Sequence, residues 1–106
     1  MQDDWVPDHY YHILGKAIPG RLLFVEEIHY RWFLRKSVRD LYRMIFQIYV
    51  YCLLPNHFHM EVRTLTEEEM RERLQPLKRS LRPFQAAFLD GSLDWQGYVK
   101  ATFGAA

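Results

Sequence analysis

Residues 44–63 constrain the fold more than any other part of the chain. Residues 44–54 are rich in Ile, Val, Tyr and Phe with Gln47 the only polar member, the composition of a strong strand. Pro55-Asn56 then makes a turn, because proline removes a ladder donor. From His57 to Arg63 the chain alternates, with Phe58, Met60 and Val62 on one face and His57, His59, Glu61 and Arg63 on the other. These features predict a hairpin with one face to bury and one face free to work.

The flanking segments add strands and helices around that hairpin. Residues 1–9, with Asp3, Asp4, Pro7 and Asp8, read as a loose lead-in. Residues 10–18 mix aromatics with aliphatics and stop at Pro19-Gly20, which predicts a strand closed by a turn; residues 21–24 are a short extended link. From Glu26 the period becomes helical: Tyr30, Phe33, Leu34, Ser37, Val38 and Leu41 share a face that Arg31, Arg35, Lys36 and Arg39 mostly avoid. Thr66-Glu67-Glu68-Glu69 fits a capping box, and Met70, Leu74, Leu77, Leu81, Phe84 and Phe88 follow as a core-facing stripe. Proline costs about 3 kcal/mol inside a helix, so this one kinks or restarts near Pro76 and bends again near Pro83. Asp90-Gly91-Ser92 ends it, and residues 95–103 predict a last strand. The order is β-α-β-β-α-β, an α+β ferredoxin-like sandwich with an antiparallel sheet and two helices on one face. Its 106 residues suffice for one domain, spanning 1–106, and not for two.

Charge narrows the function less than patterning does. The formal net charge is +1, so the chain as a whole does not announce a nucleic-acid binder, and local distribution has to decide. Residues 71–82 carry Arg71, Arg73, Lys78, Arg79 and Arg82 with Glu72 as the only acid. A solvated helix with its acids first and its bases later explains this segment ahead of a phosphate-binding face. Lys78, Arg79, Arg82 and Lys100 remain the candidate DNA phosphate contacts. The lone Cys52 cannot make an internal disulfide and reads as a buried small hydrophobe. With no signal peptide and no membrane-spanning run in sight, the expectation is a cytoplasmic protein without membrane contact.

His57 and His59 are the candidate metal ligands. Two residues apart on a strand, they project to the same side and can hold a divalent cation while Phe58 is buried behind them. Such a cation could polarise a phosphodiester without moving a proton. A bare His-x-His is otherwise just two surface histidines, and imidazole suits zinc or nickel as well. Glu61 continues the face and could add an oxygen; Gln47 is another polar candidate. Asn56 suits the turn, His12 and Tyr10 share a face of the first strand and cap the sheet, and Trp32 reads as packing. His9 and His29 read as ordinary surface residues.

Three segments together resemble a known family. They are Tyr11-His12-Ile13, Ala17-Ile18-Pro19-Gly20-Arg21-Leu22-Leu23-Phe24 and, most specifically, Tyr51-Cys52-Leu53-Leu54-Pro55-Asn56-His57-Phe58-His59. The chain is similar to the HUH single-tyrosine transposases, of the REP-associated and insertion-sequence type. The resemblance implies that His57 and His59 bind Mg or Mn and that the substrate is single-stranded or hairpin DNA. It also implies strand cutting and rejoining in DNA transposition through a 5′-phosphotyrosine. A second copy of the chain is a candidate partner. Residues 95–101 are similar to the family's last core strand, after which the family carries its tyrosine on a helix. No position here matches that tyrosine, so the expectation is a C-terminally truncated domain with no matched catalytic residue, or a non-catalytic DNA-binding relic or regulator. Tyr98 lies on the expected strand and is not assigned as the nucleophile.

Overall fold

The computed structural model describes residues 4–105 as an α+β structure. Strand β1 spans Tyr10–Lys16, β2 spans Phe46–Leu54 and β3 spans His57–Thr64. They form one antiparallel sheet in the order β1-β3-β2. Both outer strands run antiparallel to β3 and so parallel to each other, which requires the long helical crossover between them. That crossover is α1 (Glu27–Trp32), which passes into a wider π-helical stretch, Phe33–Arg39, and then one tight turn, Tyr42–Met44.

β3 shows why the hairpin could be read from the sequence. Phe58, Met60, Val62 and Thr64 are buried, and His57, His59, Glu61 and Arg63 are not. The buried set packs into one core with Val38, Tyr42, Ile45, Phe46, Met70, Leu74, Phe88, Tyr98 and Val99, so the helices cover one face of the sheet and leave the other open. β1 packs Tyr11 and Ile13 against this layer and passes Phe58 at Gly15, where an added Cβ would lie 2.1 Å from Cε1 of Phe58.

Thr66 caps α2 (Glu67–Leu74) as expected: its hydroxyl accepts from Glu69 N, and the Glu69 carboxylate accepts from Thr66 N. The break near Pro76 is as expected, whereas at Pro83 the expected bend is a fresh helix start after the non-helical residues 78–82. α2 tightens into a 3-10 turn at Gln75–Leu77, and a new helix, α3 (Pro83–Asp90), starts with Pro83 in its first turn. Gly91 then closes α3 at φ 88°, a left-handed position that glycine adopts freely.

The expected fourth strand is a helix, and this is the main correction. α4 spans Trp95–Ala105, leaving a three-stranded sheet. Asp94 caps it, its carboxylate accepting from Gly97 N at 2.7 Å. Trp95, Tyr98, Val99 and Thr102 are its buried residues, a spacing of three and four that fits a helix and not a strand. The lead-in is also better anchored than expected: Trp5 stacks on Phe103 at 5.1 Å and Gln96 bonds to its backbone. Asp3 lies outside the described residues. No helix among the described residues is long and apolar enough to cross a membrane.

Arg63 joins the sheet to α2. Its guanidinium donates to both Glu69 oxygens at 2.9 Å and to Asp8 at 3.0 Å. The Arg63 hydrogen bonds, helped by Thr66 N, hold the Glu69 carboxyl at about 2, below its ordinary 4.5. A depressed carboxylate stabilises the fold above its unfolded value and loses that contribution as pH falls through the folded one. Stability is therefore expected to decline between pH 4.5 and about 2. Glu69→Gln should flatten that part of the profile while lowering stability at neutral pH, as measured by urea denaturation across pH.

Candidate functional site

The open face of the sheet collects alternate residues from all three strands. β1 contributes Tyr10, His12, Leu14 and Lys16, and β3 contributes His57, His59, Glu61 and Arg63. Register sets the neighbours: Lys16 lies opposite His57, Leu14 opposite His59, and His12 opposite Glu61. On the other side Leu54 lies opposite His57 and Cys52 opposite His59. Cys52 is exposed, not buried as expected. A bulge between Ile48 and Val50 inverts the alternation of β2 and turns Val50, Cys52 and Leu54 over to the open face.

The two histidines of the pair meet on that face. Their ring centres are 4.8 Å apart with planes at 80°. Nδ1 of His57 lies 2.7 Å from Oδ1 of Asn56. Nδ1 of His59 lies 3.0 Å from Nε2 of His12, and Nδ1 of His12 lies 3.9 Å from a carboxylate oxygen of Glu61. Each imidazole of the pair thus has a partner at one nitrogen.

The ring spacing can be compared with that of two imidazoles sharing one divalent cation. An imidazole nitrogen sits about 2.1 Å from such an ion and about 1.1 Å from its own ring centre. Two rings aimed at one ion would then have centres roughly 4.5 Å apart at a right angle and roughly 5.2 Å apart at the tetrahedral angle. The observed 4.8 Å lies between these values. Among the described residues no three His, Cys, Asp or Glu side chains form a ready-made cage. Two ligands leave most coordination positions for water or for the oxygens of a bound anion.

Two cationic residues share a cavity with this pair. An open cavity of about 520 Å³ is lined by His57, His59, Asn56, Lys16 and Arg21, with Leu14 and the turn residues 17–20. The Pro19-Gly20 turn brings Arg21 there: Arg21 N donates to Ile18 O at 3.0 Å, and Gly20 takes the φ of 84° that this turn requires. The hairpin turn is tied to the same edge, with Ala17 N donating to Asn56 O at 3.0 Å.

The other sequence candidates fall elsewhere. Lys78, Arg79 and Arg82 are exposed between the 3-10 turn and α3, in the helical layer. Lys100 is on α4, with Nζ 3.5 Å from Asp4. None of the four lines the histidine cavity. Gln47 accepts from Arg73 at 2.6 Å at the far end of the sheet. Trp32, read as a packing residue, is 61% exposed. Tyr98 is fully buried, its ring stacked on Phe88 and its hydroxyl 3.4 Å from Met44 O, and burial pushes its phenol well above the usual range. His12, Lys16 and Arg21 are the site residues that sequence reasoning missed. The alternation Tyr10-His12-Leu14-Lys16 was visible, but not the register that sets it beside β3. The chain matches no protein-family model, no curated protein and no solved structure.

Proposed function

We propose that this chain is a DNA-binding domain of the HUH transposase type, in which His57 and His59 hold Mg or Mn against a phosphate of single-stranded or hairpin DNA. The observation that carries the reading is the meeting of both histidines with Lys16 and Arg21 around one open cavity. A phosphodiester supplies anionic oxygens for the open coordination positions, and the ammonium and guanidinium attract the adjoining phosphates. The cation would stabilise charge on the phosphoryl oxygens. Tyr10 and Tyr49, with ring centres 6.0 Å apart, extend the same face as exposed rings on which unpaired bases can stack.

The family's cutting and rejoining of DNA requires a tyrosine hydroxyl beside the cation. Among the described residues no tyrosine lines the cavity, and Tyr98 is enclosed in the core. This favours a second reading, in which the domain binds single-stranded DNA as a regulator without cutting it. Under the first reading the hydroxyl comes from another segment or a second copy of the chain. The order β1-β3-β2 supports the first three strands of a ferredoxin-like sandwich, while the helix at Trp95–Ala105 takes the place of its fourth. A cytoplasmic location goes with this substrate.

Binding of a labelled hairpin oligonucleotide, compared in Mn²⁺ and in EDTA over a range of salt, tests the proposal. Binding should tighten with Mn²⁺ and weaken with salt. Replacing Lys16 and Arg21 by alanine should lower the slope of log K against log salt by about 1.4, at roughly 0.7 per phosphate contact on single strands. Absence of binding at low salt, with or without Mn²⁺, would reject both readings.

A further inference from the structure

We propose that His12 and Asn56 are positioning residues that fix the ring protons of His59 and His57 on Nδ1, so that both Nε2 lone pairs are presented to one cation. The inference rests on the metal-site reading above and adds to it the state in which the pair is held.

The argument follows from which atoms can donate. The Asn56 Oδ1 only accepts, so the 2.7 Å contact makes Nδ1 of His57 the donor and leaves Nε2 bare in the neutral ring. For His59 the chain is one link longer. The Glu61 carboxylate 3.9 Å from His12 Nδ1 favours a proton on that nitrogen. Nε2 of neutral His12 is then an acceptor, and at 3.0 Å it accepts a hydrogen bond from Nδ1–H of His59. His59 Nε2 is bare in consequence. A side chain that ligates a metal through one imidazole nitrogen is commonly held by a hydrogen bond at the other, and loss of that partner weakens affinity 10–100-fold.

Two separate elements deliver the same result. Asn56 acts from the hairpin turn, one residue before its histidine, whereas His12 acts from β1, across the sheet. Both His12 and Asn56 are exposed, so replacing them need not disturb the core.

Long-range ¹H–¹⁵N spectra of the imidazoles in the metal-free protein, recorded in mildly alkaline buffer, test this. His57 and His59 should both carry the proton on Nδ1, against the preference of a free histidine side chain for Nε2. His12→Phe should release His59 alone, Asn56→Ala should release His57 alone, and His12→Gln, which keeps an acceptor, should restore His59. Mn²⁺ affinity should fall 10–100-fold in the first two variants and recover in the third. With Zn²⁺, the ¹⁵N shifts should move at Nε2 of both residues.

Protonated Nε2 on either His57 or His59 in the wild type, an unchanged His59 in His12→Phe, or Zn²⁺ seated on Nδ1 of His59 would overturn the proposal. Failure of the wild type to bind Mn²⁺ or Zn²⁺, with the Nδ1–H pattern intact, would instead reject the metal-site reading on which it rests.

Discussion

Tyr98→Ala is expected to destabilise the fold by about 3–5 kcal/mol, the range for removing a fully buried aromatic ring. Tyr98 is fully buried, stacked on Phe88 with ring centres 4.5 Å apart, and near Phe84 at 5.9 Å. A domain of this size has about 5–15 kcal/mol in total, so the variant should lose a large share of its stability and reach its unfolding midpoint at lower urea. Tyr98→Phe should behave differently. The hydroxyl lies a long 3.4 Å from Met44 O and also bonds to the Gln85 side chain, and each such bond contributes about 1 kcal/mol. Urea denaturation of both variants measures the contrast. Any DNA cleavage the protein performs should survive Tyr98→Phe, because this phenol is sealed away from the open face. Cleavage lost with the fold intact would overturn that placement.

The same residue marks where sequence reading stops. Residues 95–103 hold Trp, Tyr, Val, Thr and Phe, all strand-prone side chains, and propensity alone points to a strand. Burial at Trp95, Tyr98, Val99 and Thr102 follows the helical period, and Asp94 supplies the cap. Both signals were in the sequence, but local preference outweighed them. Residues 57–64 were legible for the opposite reason: their propensity and their alternation agree, and Pro55-Asn56 fixes the turn. Thr66 and Glu69 likewise named the start of α2 through one local motif.

What stayed hidden depended on contacts between distant segments. The bulge near Tyr49 leaves no mark in composition, yet it decides that Cys52 faces outward beside His59. His12 and His59 are 47 residues apart, and only the pairing of β1 with β3 brings them within 3.0 Å. The basic run at 71–82 drew attention because its charges are adjacent in sequence. Lys16 and Arg21 are the cations that line the cavity, and they stand out only once the turn at Gly20 is in place.

Joint replacement of His57 and His59 by alanine is expected to abolish the part of DNA binding that depends on Mn²⁺. Both side chains are half-exposed on the open face, opposite the packed layer, so the fold should be retained and its urea midpoint nearly unchanged. The cavity would keep Lys16 and Arg21, and with them a weak, salt-sensitive attraction for phosphates. Binding of the hairpin oligonucleotide in Mn²⁺ should then fall to the level the wild type shows in EDTA. Affinity for Mn²⁺ itself should drop by at least about 100-fold, more than for loss of either partner of the rings, because the donor atoms are removed and not merely misaligned. Imidazole binds Mn more tightly than it binds Mg, so the effect should be larger with Mn²⁺. If the double variant kept the full Mn²⁺ dependence, the cation would have to sit elsewhere on the molecule. The cavity would then be a basic groove flanked by two surface histidines with no part in holding metal.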